Sequence, residues 1–267
     1  VSMNEKLRIV SILNAPALAS SITGVPHFEL SELDVDEPLD FHLPSDLRLG
    51  HLVERIVSHL IRASTNYEIL FENLQIIENE RTIGEIDLII SNTLTKQISH
   101  VELAYKFYLY DPGISSSEVE NWIGPNRKDS LSQKLTKTKS LQLPLLYHEA
   151  ARAKLEEVDV DAISQKLCLM ASLFIPYDYP NHFSPEYQKA IQGYYLSLNA
   201  FMDLDHEQKQ YYIPPKQAWG MAPCERDNWQ DLSKIHGNIH NSMREKRAIM
   251  CWQRHQDTYS SFFIVWW

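Results

Sequence analysis

Residues 83–109 contain two strand-like runs around one turn, and this pair constrains the fold more than any other stretch. The first run reads Gly84-Glu85-Ile86-Asp87-Leu88-Ile89-Ile90. The second reads Ser99-His100-Val101-Glu102-Leu103-Ala104-Tyr105-Lys106-Phe107-Tyr108-Leu109, and Ser91-Asn92-Thr93 is turn material between them. Branched and aromatic residues dominate both runs, as strands require. Side chains alternate faces along a strand. Glu85 and Asp87 therefore share one face of the first strand, opposite Ile86, Leu88 and Ile90. In the second, His100, Glu102, Ala104, Lys106 and Tyr108 share a face, and Val101, Leu103, Tyr105, Phe107 and Leu109 form an apolar one. Paired as a hairpin, the strands bring two carboxylates and a lysine onto one patch, the outline of a site for a metal ion and an ammonium group. A slip of one residue would turn the carboxylates to the opposite face, so the patch depends on the register.

The rest of the chain supplies context for this hairpin. Its 267 residues suit one large domain, or a core with a smaller appendage. A hydrophobic content of 44% is enough for a substantial core. The net charge of -10 argues against a broadly basic nucleic-acid binder and leaves room for a local basic cleft. Cys168, Cys224 and Cys251 are far apart and lack zinc spacing, so they read as reduced thiols of a cytoplasmic protein. Val1-Ser2 ahead of Met3 reads as an addition to the native start. The apolar stretch 9–13 is short and followed by Asn14 and Pro16, which fits an amphipathic first helix better than a signal peptide. No run approaches the ~20 apolar residues of a membrane span, so no membrane partner is expected.

Three regions are expected: an N-terminal helix and acidic extended segment over 1–46, a core over 47–178, and a C-terminal extension over 179–267. Segment 28–46, with Pro38 and Pro44, reads as a solvated linker. Ser45-Asp46 is a plausible cap for an amphipathic helix carrying Leu49, Leu52, Val53, Ile56, Val57, Leu60 and Ile61, with Glu54 at the margin of its apolar stripe. A strand is expected over 67–77, a turn over 78–80, and then the two central strands. Residues 114–125 read as loop. A basic helix follows, capped by Asp129 or Ser130 and carrying Lys134, Lys137 and Lys139. Another helix is expected over 145–157, a buried strand over 165–175, and two terminal strands over 247–254 and 259–267. His236 and His240 are spaced as a helical pair, but Gly237 and Asn238 weaken that helix.

The order helix, three strands, helix, strand is that of an α/β core. With Glu54 on the helix, Asp87 on the second strand and Glu102 and Lys106 on the third, the chain resembles the PD-(D/E)XK nuclease superfamily. Longer blocks are similar to an uncharacterised bacterial family, domain-of-unknown-function family 1853. They are Leu49-Gly50-His51-Leu52-Val53-Glu54, Arg81-Thr82-Ile83-Gly84-Glu85-Ile86-Asp87, 100–109, Trp122-Ile123-Gly124-Pro125-Asn126, Gln142-Leu143-Pro144-Leu145 and Pro215-Lys216-Gln217-Ala218-Trp219. The superfamily resemblance implies a restriction-endonuclease-like core with a three-stranded mixed sheet, followed here by an aromatic-rich C-terminal extension. One departure stands out. The nuclease pattern puts lysine two residues after the glutamate, where this chain has Ala104. Lys106 keeps the same face, about 7 Å further along the strand.

The resemblance implies metal-assisted phosphodiester hydrolysis of DNA or RNA. Asp87 and Glu102 would hold Mg²⁺ or Mn²⁺, a hard cation that takes oxygen ligands. Lys106 would orient water or stabilise developing charge, Glu54 would support the metal, and Glu85 is an alternate carboxylate. Lys134 and Gln142 are expected to touch a phosphate or base. Two alternatives stand beside this reading. One is a catalytically inactive nuclease-like fold that binds nucleic acid or a protein partner. The other is an interaction protein whose aromatic C-terminal part, with Trp219, Trp229, Trp252, Trp266 and Trp267, carries the function.

Overall fold

The computed structural model describes residues 3–35, 41–44, 46–180 and 182–267, with the backbone alone at 3 and 4. The chain begins with α1 (Met3–Leu13), α2 (Ser20–Thr23), α3 (Leu49–Ala63), β1 (Tyr67–Glu78), β2 (Arg81–Asn92) and β3 (Ile98–Tyr110). The short β4 (Trp122–Ile123) precedes α4 (Leu131–Lys137), which runs on through a π-turn (Thr138–Gln142) and a 3₁₀ segment (Leu143–Tyr147). Then come α5 (Glu149–Arg152), β5 (Ser164–Pro176), α6 (Pro185–Gln188), β6 (Ile191–Ser197), α7 (Leu198–Met202), β7 (Lys209–Tyr212), α8 (Leu232–Arg244), β8 (Ile249–His255) and β9 (Thr258–Val265). The class is mixed α/β, and the described residues form a large mixed sheet of nine strands. Two compact units make up the chain, residues 1–105 with 133–170 and residues 106–132 with 171–267, so β3 and β5 each pass from one to the other.

In the first unit, α3 follows its expected pattern: Leu52, Val53, Ile56, Val57, Leu60 and Ile61 are all buried. Ser45 lies outside the described residues; Arg48 occupies the cap position and makes no side-chain capping bond. β1 and β2 form an antiparallel hairpin whose tight turn places Asn79 and Glu80 at φ 48° and 62°, the left-handed pair that a two-residue turn needs. Ile76, Ile86 and Ile89 pack with Leu146, Ala151, Leu155, Val160 and Ile163. That packing corrects the helix expected over 145–157. Pro144 opens a 3₁₀ segment, and only Glu149–Arg152 is α-helical, because the chain must turn repeatedly to place Leu146, Ala151 and Leu155 on one core.

The linker expected over 28–46 is likewise corrected where it is described. Phe28 is fully buried, Leu30 and Leu33 are buried, and the backbone bridges to β5 at His27↔Leu167. The apolar residues at 28, 30 and 33 outweigh the acidic ones in fixing its course. The β2–β3 ladder runs antiparallel from Ser91↔Ile98 to Leu88↔Val101.

In the second unit, β4 pairs with the end of β3, so the loop expected over 114–125 contains a strand and a 3₁₀ turn. β5–β6 and β6–β9 are parallel, β9–β8 and β8–β7 antiparallel. The region read as an extension thus supplies four strands. Their core joins Phe201, Tyr211, Cys251, Phe262 and Ile264 to Ile235, Ile239 and Met243 of α8. The apolar residues of α8 recur at helical spacing, which overrides the glycine at 237.

Candidate functional site

Asp87 and Glu102 belong to the first unit, at the point where the β2–β3 ladder ends. Its last pair is Leu88↔Val101, and one more step in the same register sets Asp87 opposite Glu102. The side chain of Asp87 takes over the next pairing role: the Leu103 amide donates to its Oδ2 at 2.8 Å. That bond orients the half-buried Asp87 and satisfies a backbone donor where the strands part. Glu85, two residues earlier, is exposed and sits opposite Gln75 of β1.

Glu102 is fully buried, as is His100 on the same face. His100 Nε2 lies 2.9 Å from Glu102 Oε1. On the other side of the ring, the Gln165 amide stands 3.5 Å from Nδ1 and donates to the Leu143 carbonyl at 2.5 Å. An amide donor facing Nδ1 puts the ring proton on Nε2, from which it is donated to Glu102. The Gln142 amide nitrogen donates to Glu102 Oε2. Gln142 Oε1 in turn accepts from Lys134 Nζ at 2.8 Å and from Thr138 Oγ1 at 3.1 Å. A buried carboxylate is tolerated only when its oxygens are hydrogen-bonded, and here both are. Gln142 and Thr138 lie in the π-turn, a wider helical turn that often marks functional positions.

The electrostatics tie Glu54 and Lys134 to the same place. Burial pushes the Asp87 carboxyl up from 3.8 to about 8; the charges of Glu102 and Glu54 push in the same direction, while the Leu103 amide and Lys134 oppose them. Glu54 Oε2 also lies 3.2 Å from His51 Nδ1 on α3. The carboxylates of Glu102 and Glu54 thus both act on Asp87, with Lys134 as the cation that opposes them there. Lys106 follows four residues after Glu102, and its Nζ lies 2.8 Å from Asp129 Oδ2 in the second unit. Asp129, expected as a helix cap, serves as that partner.

Among the described residues, no group of three or more His, Cys, Asp and Glu side chains is placed to hold a metal ion. The donor set still fits Mg²⁺, which binds through one or two carboxylates and completes its shell with waters and substrate phosphate. Burial first, and then the charges of Glu102 and Glu54, disfavour an ionised Asp87, and a bound cation would oppose both.

Sequence reasoning passed over His100 and Gln165. The alternation that groups His100 with Glu102 was legible; nothing local points to Gln165. Of the remaining candidates, Cys168 and Cys251 are buried free thiols and Cys224 is half-buried. His236 and His240 do lie in α8, with ring centroids 4.2 Å apart. Among the described residues, no helix is long and apolar enough to cross a membrane.

Comparison with curated proteins and with solved structures returned no match. A family profile, Domain of unknown function (DUF1853), matches residues 16–260, nearly the whole chain. The chain belongs to the DUF1853 family.

Proposed function

We propose that this protein is a metal-dependent nuclease that hydrolyses phosphodiester bonds of DNA or RNA. Its restriction-endonuclease-like core would comprise α3, β1 to β3, the α4 helical run and β5. The observation that carries this reading is the convergence of Asp87, Glu102, Glu54 and Lys134, four groups from a helix, two strands and a second helix, on one electrostatically coupled site.

Asp87 and Glu102 would hold Mg²⁺ or Mn²⁺, with Glu54 supporting. When bound, the ion supplies polarisation of the phosphoryl group and a lower pKa for an attacking water. Glu102 is held in place and oriented by His100 and Gln142. Holding the ion would require Asp87 to give up its proton, so cleavage at limiting metal would be expected to rise with pH toward about 8. Lys134, whose charge already acts at Asp87, would stabilise negative charge developing on the phosphoryl group, as a fixed ammonium does. In this reading Lys134 rather than Lys106 is the acting cation, because Asp129 engages Lys106.

A second reading is a nuclease-like fold that binds nucleic acid without cutting. It is favoured by Ala104 at the usual lysine position and by Glu102, whose two oxygens both already accept hydrogen bonds. The test is cleavage of plasmid DNA and of single-stranded RNA by the full chain in Mg²⁺ or Mn²⁺, beside Asp87→Ala and Glu102→Ala. Cleavage lost in both variants supports the nuclease. Binding without cleavage moves the protein to the second reading, and cleavage that survives both substitutions overturns the site.

A further inference from the structure

The outer face of α3 carries a basic stripe that the carboxylate chemistry does not use. Arg48, at its cap position, is followed by His51, Arg55, His59 and Arg62. At 3.6 residues per turn these five fall within an arc of about 80°. No Asp or Glu of α3 shares that arc. Arg48, His51, Arg55 and Arg62 are exposed, and His59 is half-buried with its ring stacked on Phe41 at 4.4 Å. Arg62 pairs with Glu72 of β1. Among the described residues, neither Arg48 nor Arg55 has an ion-pair partner.

On a chain of net charge -10, such an arc is unusual. Glu72 of β1 offsets the Arg62 end of the stripe and is felt by Arg55, which leaves an excess of positive charge toward Arg48 where a polyanion can approach. Its field is felt locally: His59 is held below the usual histidine range, first by burial and then by Arg55 and Arg62. The stripe also adjoins the carboxylate site. Glu54 sits one step around the helix, and His51 contacts it at 3.2 Å.

We propose that the Arg48-Arg55-Arg62 stripe of α3 is a track for the phosphodiester backbone of a nucleic acid, delivering it to the Glu54 edge of the carboxylate site. This inference rests on the reading above and names its binding surface. Arg48 and Arg62 are about 21 Å apart along the helix axis, the length of about six base-pair steps. The planar guanidinium groups suit phosphate oxygens.

The test measures binding to a 20-bp DNA duplex and a 20-nucleotide RNA by fluorescence anisotropy between 50 and 200 mM KCl. An Asp87→Asn background keeps the probes intact. Each phosphate neutralised contributes a slope of about -0.9 on duplex DNA. Arg48→Gln with Arg55→Gln therefore makes the slope shallower by about two, and the affinity lost across that salt range shrinks about tenfold. Arg48→Lys with Arg55→Lys keeps the charges and restores the slope, which separates charge from folding. A double glutamine variant with the parent's slope and affinity overturns the proposal. So does an equal effect from Lys137→Gln with Lys139→Gln, since the stripe would then be ordinary surface charge. Wild-type cleavage that is indifferent to the stripe would sink this inference and leave the nuclease standing; absence of both binding and cleavage would sink both.

Discussion

Asp87→Asn should make the protein more stable, by an amount that grows as pH rises from about 4 to about 8. Asparagine keeps an oxygen to accept the Leu103 amide and removes the charge that burial, Glu102 and Glu54 oppose. In the native protein the Asp87 carboxyl is raised from 3.8 to about 8. Below about pH 4 the group is protonated in both folded and unfolded chains and has no pH-dependent effect. Between about pH 4 and 8 the unfolded chain releases the proton while the native one retains it, so stability falls as pH rises. Above about pH 8 the full penalty is present. About four pH units at ~1.36 kcal/mol each give an upper value of ~5 kcal/mol. Sharing of the proton with Glu102 and water access to the half-buried carboxyl reduce the expected difference to about 2–3 kcal/mol. In a chain of this size that is a rise of about 5–10 °C in melting temperature. The assay is thermal unfolding of wild type and variant, free of divalent cations, at pH 5, 7 and 9. A gain that grows from pH 5 to pH 9 is the expected result. An equal difference at all three values, or a variant less stable at pH 9, would refute the electrostatic account of the site.

The two lysines separate in the cleavage assay: Lys134→Ala should reduce the rate by about 10²-fold or more, as loss of a charge-stabilising donor does, and Lys106→Ala should change it little; the reverse order would return the role to Lys106. At Gly193, which pairs with Ser261 across β6 and β9, a Cβ would stand 2.0 Å from the Ser261 carbonyl oxygen. Gly193→Ala should therefore cost about 3 kcal/mol in chemical denaturation, and a neutral result would mean that the pairing is wrong. The native protein should react with a thiol reagent at Cys224 alone and at all three cysteines once unfolded, because burial pushes the Cys168 thiol up to about 12 and also raises that of Cys251. Rapid labelling of Cys168 in the native state would contradict that.

How much of this was legible depended on how local the signal was. The period of α3 and the alternation of β2 and β3 are short-range patterns, and the structure follows them to within a few residues. The linker over 28–46 was misjudged because its charges were weighed and the buried Phe28, Leu30 and Leu33 were not. The helix over 145–157 was overextended because its apolar residues look helical, while their shared core with β1 and β2 demanded turns. The two terminal strands were legible, whereas β6 and β7 were hidden by prolines and aromatics, whose partners in the Phe201-Tyr211-Phe262 core lie far apart in sequence.

The amino-acid order by itself grouped Asp87 with Glu85 on one face of its strand and Glu102 with His100 on one face of the next, because alternation is a property of the extended backbone, while the register that sets Asp87 opposite Glu102 belongs to the folded sheet. Tertiary structure decided what surrounds them. Lys134 and Gln142 reach the carboxylates because the α4 run and its π-turn fold back onto this face, and His100 is buried with Glu102 because Gln165 closes over the ring. The Gln142–Glu102 and Gln165–His100 encounters join residues 40 and 65 positions apart. No local periodicity encodes them; the packing that closes the intervening chain does.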